Sequence, residues 1–533
     1  MAPVLGALES YDSTVRLTFL YFVVAAYNHR VHMDSADMPS MHLTMVASGV
    51  NGLGYYMYHG GNNPHSLRYN DDPNVTLQES SFQPAGAANP MTSIQYDFFA
   101  PIGQFGQTRV HYHQMRALHV FLLAYGGLVA EMTPAMPMAV PVGDSDVSTL
   151  RWEGRFRNSS GIIFVNNYQR MTNMPAKQRT HLTLHTVNDT TTYSIPSIHS
   201  QPLTVAANSW FHWPLNFPVT AEVELTWATA QLMTSVRVNA SLTTVFLAET
   251  RSQAVELAFP ASYRLGTSYP TSVVNTSQVV HGIVPGYEAA VVVTGRSGSV
   301  VQFVVLPNER VFELWTGVYQ GQETVVVSKA EAVLIQSDRI DIKSNLAQAS
   351  ALVYPAPASS QRSGVFGSLT VAVPTATVTV SMTLESPAGP ARDLPKAASG
   401  KAQEPTMAEW QAAQKYRLSV AGLPSDPSLD VRLRLNYDGD ASRVYYQERC
   451  LTDSWYSGYR VEGAPQLGLS YLKEDAQLPE SFELEWWVLP LKKSSLVSEV
   501  YINPEVMPAF GAQDLALNVT EPEVLVYATV QLL

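Results

Sequence analysis

The residues able to act on a ligand gather in the first fifth of the chain. Glu9 closes an apolar run that opens at Pro3. Such a run suits a buried parallel strand whose C-terminal end presents a polar side chain at the mouth of a barrel. Further on stands Tyr55-Tyr56-Met57-Tyr58-His59-Gly60-Gly61-Asn62-Asn63. Strand side chains alternate, so Tyr56 and Tyr58 share one face and Tyr55 and Met57 the other. Tyr56 can offer an aromatic face and a hydroxyl to a ligand, or it can pack in a core. Gly60-Gly61 allows a sharp turn behind the strand. Next comes Gln95-Tyr96-Asp97-Phe98-Phe99-Ala100-Pro101.

These segments need elements to hold them in place. Met38, Met41, Met45 and Val46 fall at i, i+3, i+7 and i+8, which predicts a helix over 37–48 ended by Gly49. A strand over 54–58 follows, giving one strand-helix-strand crossover rather than eight. A second helix is predicted over 110–132, with Met115, Leu118, His119, Leu122 and Tyr125 on one face and the prolines of 134–141 closing it. Beyond it, short β-branched and aromatic runs alternate with turn residues, at 161–166, 181–187, 222–227, 234–248, 290–294, 300–306, 368–384, 430–436, 483–491 and 524–532. Alternation such as Thr370-Val371-Ala372-Val373 fits half-buried antiparallel strands of sandwiches or jelly rolls. The expected fold class is mainly β, with an incomplete (β/α)8-barrel remnant at the N-terminus. Residues 1–132 form the barrel part (about the last two βα units), 133–260 a β-sandwich, 261–384 a further β domain, 385–408 a Pro/Gly/Ala-rich linker, and 409–533 a C-terminal sandwich or jelly roll.

Together the motifs resemble glycoside hydrolase family 35, the β-galactosidases. In that family the final barrel strand typically reads Tyr-Met-(Phe/Tyr)-x-Gly-Gly-Thr-Asn and is followed by Ser-Tyr-Asp-Tyr-Asp-Ala-Pro. Here Asn62 stands at the Thr position, and Phe98 and Phe99 replace the second Tyr and Asp. The run from Gly161 to Tyr168, the Trp213-Pro214-Leu215-Asn216 segment and the Ala-Thr-Ala-Gln after Trp227 are similar to the family's first β domain. The resemblance implies retaining hydrolysis of terminal β-galactosides, which uses two carboxyl groups about 5–5.5 Å apart. In the family the acid/base is a Glu after the fourth barrel strand and the nucleophile a Glu after the seventh, and this chain has room for the second alone. Glu9 is then the candidate nucleophile, or else a solvated carboxylate near a terminus, and the general acid is expected to be absent. Tyr56, Tyr96, Asn62 and Asn63 are the substrate-binding candidates. The Asn-Glu pair at Asn308-Glu309 falls between two β runs and reads as a hairpin turn. A chain of this kind is expected to be inactive alone; the alternative is a non-catalytic carbohydrate-binding or scaffold protein.

Composition agrees with a neutral ligand. The formal net charge is −12, with no Lys/Arg cluster, which argues against nucleic acid and against an anionic membrane surface. The partner expected is a β-galactoside or another carbohydrate, with no membrane insertion; the apolar run 17–27 is too short to span a bilayer and reads as barrel core. Cys450 is the lone cysteine, so no intrachain disulfide and no cysteine metal site can form. His29, His32, His42, His59, His65, His111, His113 and His119 enrich the first quarter without metal-ligand spacing, and no cofactor or metal is expected. Sequons at Asn74, Asn158, Asn188, Asn239, Asn275 and Asn518 favour the secretory pathway, with a lysosomal, vacuolar or extracellular destination.

Overall fold

A computed structural model describes residues 17–20, 27–30, 32–55, 57–64, 92–185, 192–197, 202–251, 255–394, 402, 405–458, 465–498 and 500–533. The first elements are β1 (Leu17–Leu20), β2 (His29–Arg30), α1 (Asp37–Ala47), β3 (Gly52–Tyr55), β4 (Gly61–Asn62), β5 (Gln95–Tyr96) and α2 (Val110–Ala130). β1 pairs parallel with β3, Leu17 opposite Gly52, with α1 lying between them in sequence. The strand over Pro3 to Leu8 lies outside the described residues. α1 buries Met38, Leu43 and Val46, and Gly49 ends it at φ 95°, a left-handed conformation that glycine takes without steric cost. The strand expected over 54–58 sits earlier, as β3, because Met57 has φ 74° and cannot extend it.

α2 buries more than the predicted stripe. Leu118, Phe121, Tyr125 and Val129 enter one core with α1, while Ala117 and Val120 enter a second with Met233, Val236 and Leu314. A helix wedged between two cores cannot keep a single narrow apolar face.

The rest of the chain is mainly β. An eight-stranded antiparallel sheet runs in the order Thr271–Val274, Ser277–Ile283, Val255–Pro260, Glu224–Ala228, Ser209–Pro218, Ser160–Asn167, Trp152–Arg157 and Thr133–Ala135. A five-stranded sheet of Ala230–Asn239, Leu242–Glu249, Val300–Leu306, Ala289–Thr294 and Leu265–Gly266 packs on it through Leu232, Val245, Leu247 and Phe303. The run expected over 234–248 is therefore a hairpin, turned at Ala240-Ser241, where Asn239 Oδ1 accepts the Ser241 N–H at 2.8 Å. The run over 368–384 is likewise two strands, Phe366–Ala372 and Thr379–Ser386, with Pro374 in the gap between them. Both sheets draw strands from either side of residue 260, so the border expected there does not divide them.

Among the described residues, besides several two-stranded sheets, there are three more five-stranded ones. In one of them the last strand, Glu523–Gln531, lies between Ile340–Ser344 and Leu429–Arg434, tying the chain's end to its middle. The final core gathers Leu418, Val431, Tyr456, Leu484 and Trp486. The segment read as a linker is anchored where it is described: Arg392 Nη1 donates to Glu409 at 3.0 Å and Nη2 to the Tyr27 hydroxyl at 2.6 Å.

The early residues are fastened to the C-terminal part of the chain. Tyr27 donates its hydroxyl to Asp440 Oδ2 at 2.6 Å, and the fully buried Arg30 gives Nη2 to Asp440 Oδ1 at 2.5 Å and Nη1 to its carbonyl at 2.6 Å. β2 adds a parallel pairing with Tyr501–Ile502. Among the described residues no helix is long and apolar enough to cross a membrane. Removing one partner of a buried ion pair leaves the other charge uncompensated. Asp440→Ala is therefore expected to lower stability by roughly 3–5 kcal/mol in urea unfolding; an unchanged midpoint would show that the Arg30 contact does not hold the N-terminal segment.

Candidate functional site

The two motifs singled out in the sequence meet. β4 and β5 pair antiparallel, Gly61 opposite Tyr96 and Asn62 opposite Gln95. Around them Ile102 N donates to the Tyr58 carbonyl at 3.0 Å, Gly60 N to the Ile102 carbonyl at 2.7 Å and Asn63 N to the Ile94 carbonyl at 2.8 Å. Gly60 is required by this closeness, since a Cβ there would lie 2.9 Å from the Asp97 Cα and 3.0 Å from the Gln104 nitrogen.

Asp97 organises the turn that follows. Its buried carboxylate pairs with Arg109 Nη2 at 2.8 Å and accepts the N–H of Phe99 at 2.9 Å and of Gln104 at 2.6 Å. Phe98 and Phe99 stand at φ 46° and 57°, two successive left-handed non-glycine residues, a conformation that persists only where the surroundings over-determine it. Here those surroundings are the Asp97 bond, the Tyr96 ring edge-on to Phe98 at 4.5 Å, His111 stacked on Phe99 at 5.4 Å and the Arg109 guanidinium 4.8 Å from the Phe99 ring centre.

The candidates fare differently. Tyr96 is half-buried on β5, and Asn62, also half-buried, accepts a bond from Gln104 Nε2. Asn63 is buried and donates Nδ2 to the Ser93 carbonyl at 3.0 Å, so its amide holds the loop. Glu9 and Tyr56 lie outside the described residues. Asn308-Glu309 is not a hairpin turn: after Pro307 the chain enters a 3-10 helix, Asn308–Glu313, and Asn308 Nδ2 donates to the Glu249 carbonyl at 2.9 Å.

Sequence reasoning missed Asp453. From the strand Arg449–Trp455 its carboxylate accepts three consecutive backbone N–H groups, of Ser93 at 2.7 Å, Ile94 at 3.0 Å and Gln95 at 2.9 Å. Nothing local marks it, because its partners lie 358 to 360 residues away. Arg109 and Gln104 were missed as well; an arginine directly before a predicted helix, twelve residues after Asp97, was the signal available for the first.

Behind the motif lies a ring cluster. Tyr55 Oη is 2.5 Å from His119 Nε2, His42 meets Tyr55 edge-on at 4.8 Å, and Tyr58 lies 5.2 Å from Tyr55. Burial, assisted by His119, pushes His42 down to about 3; burial and Arg109 do the same to His111, and burial and Arg116 to His113. These rings are neutral at pH 7 and present no cation to a ligand. Among the described residues no group of three or more His, Cys, Asp or Glu side chains is placed to hold a metal ion. The arrangement is a polar and aromatic ledge with its histidines held neutral.

No family model matches the sequence, and no curated protein matches it. Among solved structures, a rhamnosidase from Novosphingobium sp. PP1Y is 14% identical, with 76% of this chain and 26% of that chain covered at a TM-score of 0.14. A GH31 alpha-xylosidase from Xanthomonas citri is 8% identical, with 75% of this chain and 38% of that chain covered at a TM-score of 0.12. The chain thus spans well under half the length of either protein, and likeness this slight carries no argument for fold or activity.

The neutral histidines carry a pH dependence. In the unfolded chain they titrate near 6.5, whereas His42, His111 and His113 resist protonation until about 3 in the fold. Between those values the unfolded state binds more protons, so stability is full above pH 6.5 and is lost as pH falls toward 3. The thermal midpoint is expected to drop between pH 7 and pH 4, and His42→Leu to flatten that drop. Equal slopes for the variant and the parent would contradict the assignment.

Proposed function

We propose that this chain belongs to a β-galactosidase-type glycoside hydrolase of family 35, residues 1–132 supplying the closing part of its barrel and the rest its β domains. The observation that carries the reading is the β4–β5 pairing, which seats the two family-like segments side by side and puts Tyr96 and Asn62 on neighbouring strands. The parallel β1–β3 pair with α1 between them supports the barrel assignment, since parallel strands need such a crossover. In this reading Glu9 attacks the anomeric carbon, Tyr56, Tyr96, Asn62 and Asn63 form or support the galactose mouth, and the protonating carboxylic acid comes from outside this chain. The chain alone then binds galactose but does not turn over ordinary galactosides.

A second reading, a non-catalytic carbohydrate-binding protein of the same descent, is favoured by Phe98, which has no hydroxyl where the family motif has its second tyrosine. An aryl β-galactoside with a good leaving group needs little acid assistance, and so separates the two. Slow turnover by the full chain that disappears in Glu9→Gln is the result expected of a nucleophile. Galactose binding weakened by Tyr96→Phe, with no turnover in either form, would favour binding alone, and absence of both would overturn both readings.

The same reading places the chain on the secretory route. Asn158, Asn239, Asn275 and Asn518 are all exposed, three of them at hairpin tips. Expression in a secreting eukaryotic host is expected to yield a product whose mass falls on treatment with peptide N-glycosidase; an unshifted mass would count against this route.

A further inference from the structure

A cavity of about 250 Å³ opens between α1, α2 and the sandwich, away from the β4–β5 ledge. Gln114 of α2, Asn208, Gln231 and Asn308 line it, together with the half-buried Trp210. We propose that this cavity binds a neutral, polyhydroxylated ring of monosaccharide size.

Four features point the same way. A carboxamide carries both donors and an acceptor, which matches hydroxyl groups that both give and take hydrogen bonds; four line the cavity, of which Asn208 Oδ1 accepts the Met174 N–H at 3.0 Å and Asn308 Nδ2 donates to the Glu249 carbonyl at 2.9 Å, so Gln114 and Gln231 carry the match. Trp210 adds a flat apolar wall for the C–H face of a ring, held edge-on to Tyr168 at 5.8 Å. Charge is nearly absent among the described residues: none of those lining the cavity is a carboxylate, the exposed Arg251 is the single cation among them, and the lining His212 is held neutral by burial, pushed down to about 4. Gln114 Oε1, finally, is buried with no hydrogen-bond partner among the described residues. An unmet buried acceptor is costly, and the last torsion of glutamine is broad enough to turn it toward a ligand hydroxyl.

The volume sets the size. Pockets for drug-sized ligands span roughly 300–1,000 Å³, so the space here takes one ring and not an oligosaccharide. The inference rests on the chemistry of these walls and does not depend on the reading of the barrel mouth.

The test is saturation-transfer NMR and calorimetric titration of the full chain with D-galactose, D-glucose and D-mannose, with D-glucuronate and D-glucosamine as charged controls. At least one neutral sugar is expected to bind, with affinity falling tenfold or more in Trp210→Ala and in Gln231→Leu. Should Trp210→Ala fail to fold, Ala207→Trp blocks the cavity from an exposed position and should abolish the same signal. No transfer to any neutral sugar, preference for a charged control, or binding lost in Tyr96→Phe but kept in Ala207→Trp would overturn the proposal.

Discussion

Two carboxylates from the C-terminal part of the chain hold residues 27–30 and 93–95 in place. Asp453 takes three successive backbone N–H groups of residues 93–95, and Asp440 takes the Tyr27 hydroxyl and the buried Arg30 guanidinium. Charge-assisted bonds in a buried setting are strong, and a buried carboxylate left unmet is costly, so each end fixes the other. The ledge formed by β4 and β5 depends on this: the strand that carries Tyr96 is positioned by an acid hundreds of residues downstream.

The helices work by the same rule with the charges reversed. Arg155, 1% exposed, donates to the Val46 carbonyl at 2.9 Å, to Asn51 Oδ1 at 2.8 Å and to the Met132 carbonyl at 3.2 Å, so one cation serves the last turn of α1 and ties it to the chain just past the end of α2. Helix C-termini carry unpaired carbonyls and partial negative charge, which a buried guanidinium satisfies. Arg116, on the other side of α2, lies 3.3 Å from the Trp315 ring centre and donates to the Leu314 and Phe312 carbonyls. α2 is thereby pinned between two cores, which leaves the amide-lined cavity on one flank and the neutral histidine cluster on another.

The ledge and the cavity share a character: aromatic walls, amides, rings held neutral by burial, and little net charge. That character follows from desolvation, which drives histidines to their uncharged form wherever they are enclosed. It also suits the acidic composition, which repels anionic partners and leaves neutral molecules as the ones such surfaces discriminate by shape and hydrogen bonding.

Local pattern alone determined α1 and α2, the end of α1 at Gly49, the β-rich character after residue 132, and the two motifs that meet in the β4–β5 pair, because periodicity and turn chemistry act over a few residues; it did not mark the short helix Leu469–Asp475. It could not divide 234–248 into a hairpin, since Asn239-Ala240-Ser241 carries a turn signal too weak to outweigh the β-branched run around it. Nor could it place the sheet borders, the 3-10 helix at Asn308–Glu313, the anchoring of Arg392, or Asp453 beneath Ile94. Those depend on partners far away in sequence, and only the closed fold brings an acid and its donors within hydrogen-bond reach.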